Sequence, residues 1–440
     1  MLPTEEDVAP HMAQFIAMLD AAFESYRSED GLPANLRDAV QATPRHSFVH
    51  RFRVGSGPLL DLQDDPARHL PTIYSDEVMR HVDADGASLP STNSQPSFVL
   101  WLLHMLDLRP GQRVLEIGSG SGWLAAVMAH LVGSEGHVTG IEIIPELAAQ
   151  SRTDLAALGL ANVTILTRDG TTGHSAGAPF DRVMITAGTW DVPPVLFHQV
   201  ADHGHVLVPI ELRGTGGCQV TLLRRTGAHF VAGRSIAGWF VPLIGTGQER
   251  TGIHRTLENL PFWAEIAAMP TGRFKLPLGV AQDGHDGSAM REFRAFLGRT
   301  ELGFAVFEGD ALKDARTPKM AGTFGLVDET AKAVALCTSG ELIGYGGCAA
   351  IRRLARAFAR WAAFGLPGMA AFGLEVWRIE AAPPATNWRW VERRDETALV
   401  WSLRPDATAW RSLLDDVEAG PTGPDPSSGR IGDYTHPPNG

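Results

Sequence analysis

Short apolar strands alternating with helix-period segments between Ser94 and Pro209 predict an α/β fold built on a mainly parallel, Rossmann-like sheet with helices on both faces. Two further observations sharpen this. A glycine-rich turn joins the first strand of the series to the next helix, and the β/α rhythm is absent on either side. The organisation expected is therefore an N-terminal helical cap (residues 1–90), a central α/β domain (91–250), a separate C-terminal α+β domain (255–418) and a disordered tail (419–440).

In chain order, Asp7 to Arg27 places Met12, Phe15, Ile16, Leu19 and Phe23 at helical spacing. Phe98 to Leu106 reads as a helix, Arg113 to Ile117 as a strand, and Trp123 to Val132 as a helix. His137 to Glu142 is a strand and Pro145 to Leu158 a helix. Strands follow at Val163 to Leu166, Phe180 to Thr186 and His205 to Pro209, with a hairpin through Gln219 to Leu223. Beyond Gly245 to Pro261, strand-like runs at Gly303 to Phe307, Thr323 to Val327, Ala333 to Cys337 and Ala398 to Leu403 surround a helix from Ala349 to Phe364. The tail is rich in Pro, Gly and Ser, a composition that cannot build a core.

The 440 residues carry 38 basic against 50 acidic side chains, a net charge of −12 that opposes general attraction to nucleic acid or anionic lipid. The three cysteines, Cys218, Cys337 and Cys348, form no CxxC pair, and His174, His198, His203 and His205 lack ligand spacing, so no disulfide framework and no metal site is expected. The N-terminus has no basic start followed by an apolar run, and no stretch is long and apolar enough to span a bilayer; a cytoplasmic protein is expected.

The run VLEIGSGSG, Val114 to Gly122, sets Gly118, Gly120 and Gly122 where a strand turns into a helix, so the backbone can turn sharply and approach a ligand. The dinucleotide fingerprint GxGxxG is not met, because its last position is Trp123. Glu116 beside this loop would repel a pyrophosphate and suits a ligand with a cationic amino-acid end. Glu142 ends the next strand about 20 residues on, where a carboxylate can accept from both ribose hydroxyls. Asp169, after the third strand, is placed to reach an adenine amino group. Together these point to S-adenosylmethionine; the competing reading is a strand-to-helix turn with two surface acids.

The stretch from Ser94 to Gly245 resembles the protein-L-isoaspartate O-methyltransferases. The resemblance is carried by Ser94-Gln-Pro before a helix, LRPGQRVLEIG from Leu108, GIEIIPEL from Gly140, Asp169-Gly170, FDRVMITAG from Phe180 and FVPLIG from Phe240, with PRHSFV from Pro44 upstream. It implies a class I S-adenosylmethionine-dependent methyltransferase fold, and it adds Ser119, Ile143, Gly170 and Thr186 to the cofactor contacts. It also implies a peptide carboxylate as methyl acceptor, with Thr92, Ser94 and Gln95 beside it. The alternative for Thr92 and Ser94 is to cap the following helix.

The segment Tyr74 to Pro90 departs from the family's short form, and the chain continues well past Gly245. In this it is similar to the longer members associated with lanthipeptide and graspetide biosynthesis. That branch implies methylation of an aspartate in a modified precursor peptide, leading to succinimide or isoaspartate; repair of isoaspartate in damaged proteins is the alternative. A binding module without turnover and a small-molecule methyltransferase are more distant rivals. In the C-terminal region, Arg353, Arg356 and Arg360 share a helix face with Arg352 alongside, either to hold an acidic peptide or as a solvated face. Trp377, Trp388, Trp390 and Trp401 read as core.

Overall fold

The computed structural model describes residues 3–26, 31–213, 217–246, 254–275, 288–308, 323–338 and 341–403. The expected tail lies outside these residues. No helix among them is long and apolar enough to cross a membrane.

Helix α1 (Glu5–Ser25) starts at a reciprocal cap between Thr4 and Asp7 and buries Phe15, Leu19 and Phe23. After α2 (Ala34–Ala42) and α3 (Pro66–Ile73) are accounted for, the N-terminal region is more than a helical cap. It also holds a four-stranded antiparallel sheet in the order β2-β1-β3-β4, from β1 (Arg51–Val54), β2 (Leu60–Asp61), β3 (Met79–Val82) and β4 (Ser88–Asn93). These strands run from two to six residues, too short for an alternation such as Arg51-Phe52-Arg53-Val54 to stand out, and Arg80 and His81 sit side by side in β3.

The central series matches the expected order within a residue or two at most boundaries, except that α7 was not expected and β9 begins at Val200, ahead of the expected His205. It comprises α4 (Pro96–Leu106), β5 (Arg113–Ile117), α5 (Trp123–Val132), β6 (His137–Glu142), α6 (Pro145–Ala157), β7 (Val163–Thr167), β8 (Phe180–Ile185), α7 (Leu196–Gln199) and β9 (Val200–Glu211). The strands lie parallel in the order β7-β6-β5-β8-β9, and β10 (Cys218–Thr226) and β11 (His229–Gly238) add an antiparallel meander. Strand β11 was not anticipated: only its first half buries an apolar residue, Phe230.

The C-terminal region does not stand apart. One part is a six-stranded sheet ordered β12-β14-β15-β16-β17-β13, from β12 (His254–Thr256), β13 (Pro270–Lys275), β14 (Phe304–Glu308), β15 (Thr323–Asp328), β16 (Ala333–Thr338) and β17 (Glu341–Gly346). Between or after these strands come α8 (Trp263–Ile266), α9 (Ser288–Thr300) and α10 (Ala349–Ala363). The last three strands, β18 (Phe372–Arg378), β19 (Arg389–Arg393) and β20 (Thr397–Leu403), leave that sheet and extend the first one to ten strands. The joint is β11 against β18, with Phe230 opposite Val376. One apolar core accordingly runs from Leu115, Ile185 and Val208 to Phe293, Leu354, Trp361 and Trp401.

A buried polar latch reinforces this joint. The Arg394 guanidinium stacks 4.1 Å from the Trp190 ring, pairs with Glu392 at 3.0 Å, and donates to the carbonyls of Trp190 and Glu211. Asp191 in turn accepts from the Glu396 amide at 2.6 Å and from the Thr397 hydroxyl. The arginine stripe on α10 is partly spent inside the fold: Arg353 and Arg360 grip the buried Glu301 at 2.6 and 2.7 Å, and only Arg352 and Arg356 are exposed. Trp401 is core, with Arg299 over its ring, whereas Trp388 is 40% exposed.

Ending the chain at Thr246 would expose the β11 edge and remove half of a shared core, so the shortened protein is expected to lose cooperative thermal unfolding and cofactor binding together. A soluble fragment with unchanged cofactor affinity would show the two regions to be independent. A second expectation concerns His50, whose Nε2 sits 3.0 Å from both oxygens of the buried Asp154 and whose pKa is raised, chiefly by that bond. Its stabilisation is full below the unfolded value of 6.5 and is lost as pH rises through the folded value. His50→Gln is therefore expected to lower the melting temperature by a few degrees near pH 6 and by less near pH 8.

Candidate active site

The chain lays down β5, β6 and β7 in one direction and then returns to place β8 on the other side of β5. Ligands in open α/β sheets settle outside the carboxyl ends of the strands at such a switch point. A cleft of about 870 Å³, counting the solvent at its mouth, lies there, walled by the ends of β5, β6 and β8, by β4 and by residues Val241 to Ile244.

The glycine turn supplies its floor. Gly118, Gly120 and Gly122 all have positive φ, at 91°, 54° and 86°, which other residues adopt only with strain. Their bareness serves the protein as much as a ligand. A Cβ on Gly118 would stand 2.7 Å from the Thr186 hydroxyl oxygen, and one on Gly122 would strike the Ser151 hydroxyl. The Thr186 hydroxyl donates to the Gly118 carbonyl at 2.6 Å, so it braces the loop.

Glu116 and Glu142 flank this turn, and both are almost wholly buried. Glu142 accepts from the amides of Gly120 at 2.8 Å and Ile144 at 2.9 Å. Burial raises its pKa and these amides oppose the rise. Oε2 of Glu116 has no hydrogen-bond partner, and burial pushes this carboxyl up to about 8; the Ser119 hydroxyl lowers it somewhat and Glu142 adds to the rise.

Ten of the residues expected from sequence line this one cleft: Thr92, Ser94, Glu116, Gly118, Ser119, Gly120, Glu142, Ile143, Gly170 and Thr186. Three do not. Gly122 lies behind the turn against Ser151. The Gln95 side chain donates to Asp76 at 2.7 Å, pointing away from the cleft wall. Asp76 also accepts from the amide and hydroxyl of Ser97, so the start of α4 is capped from an upstream loop and not by Thr92 or Ser94.

Asp169 is the third. Although burial favours its neutral form, the Thr171 hydroxyl and amide and the Thr246 amide and hydroxyl outweigh this and hold it below the ordinary carboxylate range. Its carboxylate thereby anchors one end of the strap Val241 to Ile244, whose other end pairs with Gly188 at 2.7 and 2.8 Å. The strap was visible in sequence only as the FVPLIG motif. Ser91, Asn93 and Ser121 also line the cleft, and nothing in the residue pattern singled them out.

A sheet of this order, whose first crossover opens on a glycine turn held between two buried carboxylates, is the architecture of the class I S-adenosylmethionine-dependent methyltransferases. The family model of protein-L-isoaspartate(D-aspartate) O-methyltransferases matches residues 65–248. The chain is 41% identical over 177 residues to the protein-L-isoaspartate O-methyltransferase of Ignicoccus hospitalis, spanning 39% of this chain and 83% of that one. It is 42% identical over 154 residues to the enzyme of the same name from Methanocella arvoryzae, spanning 35% of this chain and 80% of that one. A solved protein-L-isoaspartate O-methyltransferase structure superposes with a TM-score of 0.48 at 21% identity, over 83% of this chain and 96% of that one. The chain belongs to the protein-L-isoaspartate O-methyltransferase family, whose members are S-adenosylmethionine-dependent carboxyl methyltransferases.

The cleft suits that cofactor. The unpartnered Oε2 of Glu116 is what a ligand ammonium would satisfy, and a carboxylate has acceptor capacity beyond the two amides that Glu142 already binds. In the unliganded protein the raised pKa of Glu116 means that its contribution is most favourable below the ordinary value of 4.5 and is lost as pH rises toward about 8. Glu116→Gln is thus expected to raise the melting temperature of the unliganded protein more at pH 8 than at pH 5. The same change should weaken S-adenosylmethionine binding roughly 10- to 100-fold in a calorimetric titration, the loss of one charge-assisted bond.

Proposed function

We propose that this protein transfers a methyl group from S-adenosylmethionine to the carboxylate of an isoaspartyl residue in a peptide or protein. The observation that carries the reading is the convergence of the hydroxyl-bearing strand β4, with Thr92 and Ser94, and the acidic donor site, with Glu116 and Glu142, on a single cleft.

The bound cofactor supplies an electrophilic methyl group on a sulfonium. The protein's own part is positioning. Glu116 takes the ammonium of the amino-acid end, and Glu142 takes the ribose hydroxyls at the acceptor sites left by its two amide partners. The strap tied by Asp169 and Gly188 closes the cleft with the apolar side chains of Val241 to Ile244. The hydroxyls of Thr92 and Ser94 orient the incoming carboxylate. A peptide carboxyl is ionised at neutral pH, so the acceptor needs no general base and approach along the methyl axis is what remains to be arranged. The ester formed then favours attack by the following backbone nitrogen, with loss of methanol and closure to a succinimide.

A second reading within the same chemistry is methylation of an aspartate in a ribosomally made, modified precursor peptide. It draws on the residues beyond the matched segment 65–248, which build a sheet of their own and then join the catalytic one. Mass spectrometry of an isoaspartyl peptide and of a cyclised aspartyl peptide, each incubated with protein and methyl donor, separates the two. The isoaspartyl peptide is expected to gain one methyl group and then lose methanol. Modification confined to the cyclised aspartyl peptide would replace this reading with the second. Donor binding without modification of either would refute both. Ser94→Ala should lower kcat/KM for the peptide roughly tenfold while leaving donor affinity within about twofold.

A further inference from the structure

We propose that Ser91, oriented by the buried His81, is a further hydroxyl donor to the acceptor carboxylate and sets the direction in which that carboxylate is held. The inference rests on the carboxyl-transfer reading above.

The β3–β4 hairpin supplies the geometry. Met79 lies opposite Asn93 and Arg80 opposite Thr92, the register shifts between Arg80 and Val82, and at this irregularity His81, Ser91 and Asn93 all meet the glycine turn from one face. That face rests on the glycine turn. A Cβ on Gly120 would lie 3.3 Å from Cε1 of His81 and 3.9 Å from Oγ of Ser91. The Ser121 hydroxyl donates to Oδ1 of Asn93 at 2.7 Å, a second tie between hairpin and turn. Ser91 itself lines the cleft, and its Oγ is 2.9 Å from Nδ1 of His81.

Two features argue that this cluster does more than fasten the hairpin. His81 is 5% exposed, and beyond Ser91 its ring is engaged by the Asn93 side chain, so both of its polar neighbours stand on the strand that lines the cleft. The arrangement also has the right proton order for binding an anion. If Nδ1 of His81 donates to Ser91, the serine hydroxyl has its own proton left for a carboxylate in the cleft. Burial drives the imidazole pKa down to about 4, so at working pH the ring is neutral and shares a single proton between Ser91 and its other neighbour. Charges facing the ring are few: Arg45 acts on it and favours the same neutral form.

The test compares Ser91→Ala, Ser91→Thr and His81→Phe with the unsubstituted protein, using methyl transfer to an isoaspartyl peptide and titration with S-adenosylhomocysteine. Ser91→Ala is expected to lower kcat/KM for the peptide roughly tenfold with cofactor-product affinity within about twofold of normal. Ser91→Thr should recover most of that loss, and His81→Phe combined with Ser91→Ala should be no worse than the poorer single change. An unchanged kcat/KM in Ser91→Ala overturns the proposal, as does an equal loss of peptide turnover and product affinity that threonine fails to rescue. Failure of the unsubstituted protein to methylate the peptide would remove the acceptor and with it both readings, an outcome distinct from a Ser91→Ala variant that matches an active parent.

Discussion

Two carboxylates buried at the ends of adjacent parallel strands, Glu116 on β5 and Glu142 on β6, govern much of what surrounds them. A buried carboxylate must find donors or give up its charge. Glu142 draws the Gly120 and Ile144 amides onto its oxygens, which pins the glycine turn against the start of α6. Glu116 has no such partner for Oε2 and holds its proton up to about pH 8. The unliganded site is therefore left with a buried acceptor oxygen beside the glycine turn that no protein group satisfies. The glycines meet a different need: at Gly118 and Gly122 the space beside the backbone is filled by Thr186 and Ser151 of the protein.

The wall of the cleft formed by β4 is organised from outside the parallel sheet. The β3–β4 hairpin lies across the turn, its inner face carrying His81, Ser91 and Asn93, while Asp76 caps α4 and draws Gln95 aside. On the opposite wall, Asp169 spends its carboxylate on Thr171 and Thr246 and so fastens the strap. Asp169, expected from sequence near the adenine, thus also shapes the wall of the cleft.

The C-terminal residues are bound into the same sheet through β18, and through Arg394 and Asp191 at the loop that follows β8. Thr186 and Ala187 on the cleft wall lie only a few residues from Trp190 and Asp191, so the register of the catalytic wall and the packing of the C-terminal strands are mechanically linked. This explains why the arginines of α10 turn out to be divided between the buried Glu301 and solvent: the helix packs inward against a shared core.

By itself the amino-acid sequence determined most of the central α/β order, because its strands carry short apolar runs and α4, α5 and α6 each open on a proline or glycine. It also determined the donor chemistry, since Glu116, the glycine turn and Glu142 are close in the chain and their spacing alone places them at neighbouring strand ends. Tertiary structure decided what depends on distant partners. The strands of the N-terminal sheet are too short, and the second half of β11 too polar, to be legible in sequence, and their pairing is selected by the surfaces they cover. The roles of Asp76, Asp169, Gln95 and Ser91 turn on contacts with residues ten to eighty positions away, as in the 77-residue separation of Asp169 from Thr246. No local pattern encodes such contacts; they exist only once the apolar core has brought the segments together.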